Sequence, residues 1–357
     1  MIEKLRKPVL LADKQKCIAH IKNMSAKISR HAIFRPHFKT HYSHKIAVWY
    51  REEGVKKITV SSIEMAKYFA EVGWQDITIA FPFNLHWLKK LNKLCKKHTI
   101  NIVIEDAETL KIVATEMKEP VNIFIKTDTG NKRTGIDAQN FDEMDSVVNK
   151  MKSDKIICFK GFLTHCGHTY HSKNAEEIKR IYFDSLEQLV TLRNRYKSYF
   201  PDITLSYGDT PSCSTINKLE HYDEYRPGNF IFYDLMQNYL GSCCYNDISL
   251  ALACPVVAKH KNRNEIIIHG GAVHLSKDFI IKNGTKNYGE LVFFNNDNTW
   301  YKPEGRAFIT SLSQEHGIVK TDTAINNDIS VGSCIGILPI HSCLTAHAMN
   351  YKYKFIN

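Results

Sequence analysis

Between residues 13 and 235 short β-branched runs alternate with stretches whose apolar residues recur every three or four positions. The first such stretch, Cys17, Ile21, Met24 and Ile28 behind a capping Asp13, predicts an amphipathic helix. Strands are predicted at Ile58–Val60, Ile77–Phe81, Ile102–Ile104, Val121–Ile125, Ile156–Phe162 and Ile203–Leu205. Helical spacing fills gaps between them, at Ile63–Val72 and from Ile178 to Leu189. Several strand runs are apolar at consecutive positions, which suits parallel strands covered on both faces. Repeated β–α units over this length fit an α/β fold built on a (β/α)8 TIM-type barrel better than an open doubly wound sheet. After about residue 240 the pattern changes to short strands between turns: Ala253–Ala258, Glu265–His269, Glu290–Phe294 and Ile335–Leu338. Residues Tyr351–Phe355 alternate with period two, as a terminal strand does. The expected organisation is a barrel over 13–240 and a C-terminal mainly-β domain over 241–357, with residues 1–12 joining the β domain.

Composition adds limits to this picture. The 357 residues suffice for two domains, and 43% hydrophobic with 24% charged residues is ordinary for a globular chain. No apolar run reaches about 18 residues, so no membrane helix is expected. Met1–Pro8 has charges but no apolar stretch behind it, which points to a cytoplasmic chain whose ten cysteines stay reduced. The net charge of +11 raises the question of nucleic acid. The lysines are dispersed, however, and the densest run, Lys89 to Lys97, interleaves with Leu88, Leu91 and Leu94 as a solvated helix face. Neither nucleic acid nor membrane is the expected partner, whereas a small anionic ligand suits the basic excess.

Barrel enzymes gather catalytic groups at the C-terminal ends of their strands. Four polar clusters fall at such ends: Arg35-Pro36-His37-Phe38-Lys39-Thr40-His41, Lys126 to Gly135, Thr164 to Tyr170, and Tyr207 to Ser212. The last enters a helix, where free backbone amides and the helix dipole favour an anion; an ordinary N-cap is the plain alternative. In the β-rich part His341-Ser342-Cys343 follows a strand. If that segment is extended, His341 and Cys343 share a side and could bind a borderline-soft ion such as zinc, though a buried thiol beside a surface histidine is the more ordinary arrangement on these two residues alone.

Taken in order, these segments resemble the D-serine dehydratase/D-threonine aldolase group of pyridoxal-phosphate (PLP) enzymes of fold type III, related to alanine racemase. The likeness runs from the Lys39 segment through Arg133-Thr134-Gly135, His165 to Tyr170, Gly208 to Ser212, Glu224 to Asp234 and Glu315-His316-Gly317 to Pro339 to Cys343. It implies a PLP-binding barrel, a β domain and a homodimer. It also implies that Lys39 is the Schiff-base lysine, with a pKa lowered in a cationic, partly desolvated site. By the same likeness Arg133 contacts the cofactor's phenolic oxygen and Gly208 and Thr210 its phosphate. Tyr233 is a further phosphate contact, and His37 and Tyr170 line the substrate side. His341 and Cys343 become the metal ligands. A thiolate selects zinc over the harder manganese or magnesium, which favours a lyase that dehydrates a D-amino acid of the D-serine or D-3-hydroxyaspartate type. The rivals are a D-threonine-type aldolase, an amino-acid racemase and a PLP carrier without catalysis. Departures from the group's pattern are Tyr42, Asp209, His269 and Gln314, the first three standing where lysine, glycine and aspartate are common.

Overall fold

A computed structural model describes residues 5–152 and 156–356. The chain divides into two compact units, one of residues 22–228 and one of residues up to 21 together with 229–357.

In the first unit eight strands run parallel: Ile33–Phe34, Lys57–Val60, Asp76–Pro82, Thr99–Ile104, Val121–Asp128, Ile157–Leu163, Thr204–Tyr207 and Glu224–Tyr225. Each hydrogen-bonds to the next from Lys57–Val60 onward, and Glu224–Tyr225 pairs back with Ile33–Phe34. A parallel bridge between His37 and Thr59 closes the ring, so the expected (β/α)8 barrel is the observed one. Four of the six predicted strands lie within these elements, and the other two, Ile156–Phe162 and Ile203–Leu205, begin one residue before them. The two unpredicted strands are only two residues long, too short for a period to show. At the N-terminal ends of the strands the barrel interior is ionic: Arg35 bonds both Asp76 and Glu224, and Glu224 also accepts from the Ser206 hydroxyl.

The second unit is an antiparallel barrel. Its strands follow the order Glu265–His269, His316–Thr321, Ala307–Leu312, Gly289–Phe294, Cys334–Pro339 and Leu250–His260, and the last pairs back with the first. Val9–Asp13 adds to Leu250–His260 antiparallel and to Tyr353–Ile356 parallel. The contact seam lies at residues 228/229, where about 240 was expected, and the described residues up to 21 group with the β unit. The reason is packing: Leu235 is buried with Ile248, Ala251, Val292, Leu338 and Ile340. The helix Leu235–Tyr239 therefore serves the β core, although its sequence shows no change of period. Among the described residues no helix is long and apolar enough to cross a membrane.

Candidate active site and metal centre

Lys39 occupies a single 3-10 turn, Phe38–Thr40, just past the strand Ile33–Phe34. The turn is capped by His37, whose Nδ1 accepts the Lys39 amide at 3.3 Å. Phe38 anchors it, buried among Tyr50, Phe69 and Trp74. Lys39 itself is exposed, not desolvated as the sequence suggested. The alternation of anchor and handle, Phe38 inward and Lys39 outward, fixes the backbone while leaving the amine accessible.

The buried amine at this rim is Lys126, at the end of the strand Val121–Asp128. Burial, then Arg226 and Arg133, push its pKa down to about 8. Arg226 is also buried and donates to the Ser206 hydroxyl and the Thr164 carbonyl. His37 and His165 are held well below the ordinary imidazole pKa, chiefly by burial and next by Lys39. Lys126 and Arg133 act further on His165, and Arg226 on His37. Four cations thus bear on two neutral imidazoles. Two of these cations, Lys126 and Arg226, are buried, and buried positive charge favours an anionic occupant, which a phosphate with a phenolate fits. Arg226 and Lys126 had no assigned role in the sequence reading. The signal that could have found Lys126 is its place directly after the apolar run Val121–Ile125, whereas Arg226 follows a strand of only two residues and gave no such signal.

Gly208 and Thr210 share this rim. His165 Nδ1 donates to the Gly208 carbonyl at 2.5 Å, and a side chain at Gly208 would lie 3.1 Å from the Arg226 guanidinium. Thr210 Oγ1 accepts the Gly228 amide at 3.3 Å. A Cβ at Gly228 would meet Thr40 Oγ1 at 2.9 Å and His37 Cβ at 3.0 Å. Close backbone approach therefore ties the Lys39 turn to the Gly208–Thr210 turn. The anion-binding turn differs in one respect from expectation: Asp209 caps the helix Thr210–Thr215 and accepts the Ser212 amide at 2.6 Å. Burial raises the Asp209 carboxyl to about 6. Arg133 is exposed in the loop after Val121–Asp128. Tyr170 is half-buried on the turn Gly167–His171, which follows Ile157–Leu163. A Cβ at Gly167 would touch Asn131 at 3.0 Å, so these two loops adjoin.

Tyr233, His341 and Cys343 belong to the β-rich unit. Tyr233 has a positive φ of 48° and sets its ring edge-on to His20 at 4.9 Å. His341 and Cys343 meet, though not along an extended segment. His341 is the N-cap of the helix Ser342–Ala348 and Cys343 lies in its first turn. The cap residue is still extended (φ −133°), and its ring hydrogen-bonds the Cys343 thiol. Asp278 Oδ2 lies 2.8 Å from His341 Nδ1. Burial opposes protonation of this ring, but the bonds to Asp278 and Cys343 win and raise it to about 11. The carboxylate holds the Nδ1–H, so Nε2 is the nitrogen that could take a metal once its proton is displaced, the usual arrangement behind a histidine ligand. Asp234 braces the helix start: its Oδ2 accepts from the Ser342 amide at 2.9 Å and from Asn229 Nδ2 at 2.6 Å. Asn229 Nδ2 also reaches Cys343 Sγ at 3.6 Å. An imidazole and a thiol held side by side suit zinc. Asp278 went unnoticed in the sequence because it lies 63 residues from its partner.

Residues 12–235 match the family described as the N-terminal domain of alanine racemase, and residues 249–354 match the putative serine dehydratase domain. A D-serine dehydratase of Dictyostelium discoideum is 30% identical over 347 residues, covering 90% of this chain and 86% of that protein. The D-threo-3-hydroxyaspartate dehydratase of a Delftia species is 25% identical over 359 residues, covering 95% of this chain and 91% of its own. Its solved structure superposes with a TM-score of 0.88 at 23% identity, over 97% of this chain and 93% of that one. A D-threonine aldolase from Filomicrobium marinum gives a TM-score of 0.79 at 16% identity, over 96% and 90% of the two chains. The chain belongs to the alanine racemase-like family of PLP enzymes, in the group that carries a serine dehydratase domain.

Proposed function

We propose that the protein is a PLP- and zinc-dependent lyase that removes water from a D-β-hydroxy amino acid of the D-serine or D-3-hydroxyaspartate type, giving a 2-oxo acid and ammonia. One observation carries the choice of reaction: a thiol, Cys343, stands against His341, whose Nδ1 is held by Asp278. PLP, when bound, supplies the sink for the electron pair left at Cα. Zinc on His341 Nε2 and Cys343 Sγ would stabilise the departing β-hydroxyl as a Lewis acid.

The chain's own groups do the rest. Lys39, the anchor for PLP, takes the Cα proton on Nζ once the substrate amine has replaced it. Its exposure in the turn Phe38–Thr40 gives the amine room for both tasks. Arg133, Gly208 and Thr210 hold the cofactor's oxygens, joined by Tyr233, and Arg226 and Lys126 balance its negative charge. His37 and Tyr170 line the substrate side, and His37 stays neutral because burial and Lys39 disfavour its charged form. Loss of the Cα proton and the β-hydroxyl as water leaves an enamine. It tautomerises and hydrolyses to the oxo acid and ammonium. The family likeness supports a homodimer.

Chelation is the direct test. Chelator should abolish 2-oxo-acid formation from D-serine, and added zinc should restore it; turnover indifferent to chelation contradicts the metal's role.

A further inference from the structure

Outside the groups used above, three metal-ligating side chains converge in the β-rich unit. His269 ends the strand Glu265–His269, His274 lies in the short helix Ala272–Leu275, and Glu315 precedes the strand His316–Thr321. Their ligand atoms all lie within 4.8 Å of one another. Glu315 Oε2 is 3.7 Å from His269 Nε2 and 3.9 Å from His274 Nε2. Around a tetrahedral ion with bonds of roughly 2.0–2.1 Å, neighbouring ligand atoms sit about 3.3 Å apart. The carboxylate contacts are therefore only about half an ångström too long for a shared ion.

The frame behind these side chains is tight. The Gly270 amide donates to the Glu315 carbonyl at 2.9 Å, the Ala272 amide to Ser313 at 2.9 Å, and the Val273 amide to Gln314 at 3.2 Å. A Cβ at Gly271 would collide with the Gln314 carbonyl oxygen, so the two backbones are in direct contact. Movement needed to close on an ion falls to side-chain torsions, not to the chain.

We propose that His269, His274 and Glu315 bind a second divalent ion of the zinc class, separate from the His341–Cys343 pair. Two imidazoles and one carboxylate with an open position form a recognised zinc set. His274 is the more enclosed of the two rings, its side chain 15% exposed against 35% for His269. Its Nδ1 accepts the Gly271 amide at 3.2 Å, placing the proton on Nε2. Metal capture must displace that proton and give up or turn the capping bond, which weakens binding by about tenfold relative to an uncommitted ring. The role is structural. The ion would tie the turn before His316–Thr321 to residues 269–278, the segment that ends on Asp278 against His341.

Cobalt(II) separates the two centres, because only the Cys343 centre can show thiolate-to-metal charge transfer. Chelated, PLP-loaded enzyme titrated with cobalt should bind two ions per chain. Cys343→Ser should lose the charge-transfer band yet keep one ion with plain d–d absorption. Adding His274→Gln to Cys343→Ser should weaken that remaining ion by about a hundredfold or more, and His269→Asn in its place should do the same. The PLP band and thermal midpoint of each variant report folding. A Cys343→Ser protein that binds no cobalt, or whose remaining ion is indifferent to both histidine changes, overturns the proposal. Either result leaves the reading of the His341–Cys343 centre standing on its own chelation test.

Discussion

The barrel rim and the His341–Cys343 centre are built in opposite ways. The rim collects one short polar cluster from each of several strand ends, and its frame is backbone: glycines at 208 and 228 let turns approach until side chains such as Arg226 and Thr40 touch them. The proposed metal centre collects side chains from distant segments onto one helix start. There Asp234, Asn229 and Asp278 hold Ser342, Cys343 and His341 through hydrogen bonds. Topology positions the first site, and a polar network positions the second. A fold that repeats β–α units guarantees a rim, whereas nothing in the β-barrel topology guarantees an Asp278–His341 bond. The two sites should therefore fail separately, and their separation can be measured.

The largest effect is expected at the rim. Lys39→Ala should lower turnover by at least about 10⁴-fold and remove the visible band of lysine-bound cofactor, with metal content unchanged. A retained band would end the assignment of Lys39. Next comes Lys126, whose buried ammonium is held near 8 against an ordinary 10.5. Between those values the unfolded chain binds more protons than the folded one, so stability rises with pH across that window and the penalty is full below it. Lys126→Met should then stabilise the cofactor-free protein at pH 7 by up to about 3 kcal/mol. In urea unfolding the gap over the parent should close as pH approaches 10.5; a gap independent of pH contradicts the burial account. The smallest effect belongs to the bracing carboxylate. Asp278→Asn should weaken zinc by about 10–100-fold, and excess zinc should restore activity while the cofactor band never changes. Loss that zinc cannot rescue would mean Asp278 does more than orient His341.

The same contrast explains what could be read from sequence. The barrel was legible because six of its strands are apolar runs long enough to show, and Gly208 and Thr210 follow one of these runs within a few residues. The strands Ile33–Phe34 and Glu224–Tyr225 were not, since two residues carry no period. The exposure of Lys39 and the burial of Lys126 were equally hidden, because both lysines lie in polar clusters at strand ends and only packing sorts them. The domain seam was misplaced by the helix Leu235–Tyr239, whose apolar residues fit either core until Leu235 is seen beside Val292 and Leu338. In the metal centre the pair itself was legible as His-x-Cys. Its geometry was not: an N-cap brings residues i and i+2 together as well as a strand does. Asp278 and Asp234 lie 63 and 108 residues from the groups they hold, beyond any local pattern.

The central claim is that this protein breaks the bond from Cβ to oxygen and leaves Cα–Cβ intact. Purified PLP- and zinc-loaded enzyme should be given D-serine, D-threonine and D-3-hydroxyaspartate separately, with 2-oxo acid, ammonia, glycine and aldehyde quantified together. The account predicts oxo acid and ammonia in equal amounts from at least one of the three, without glycine; glycine and aldehyde as the main products would contradict it.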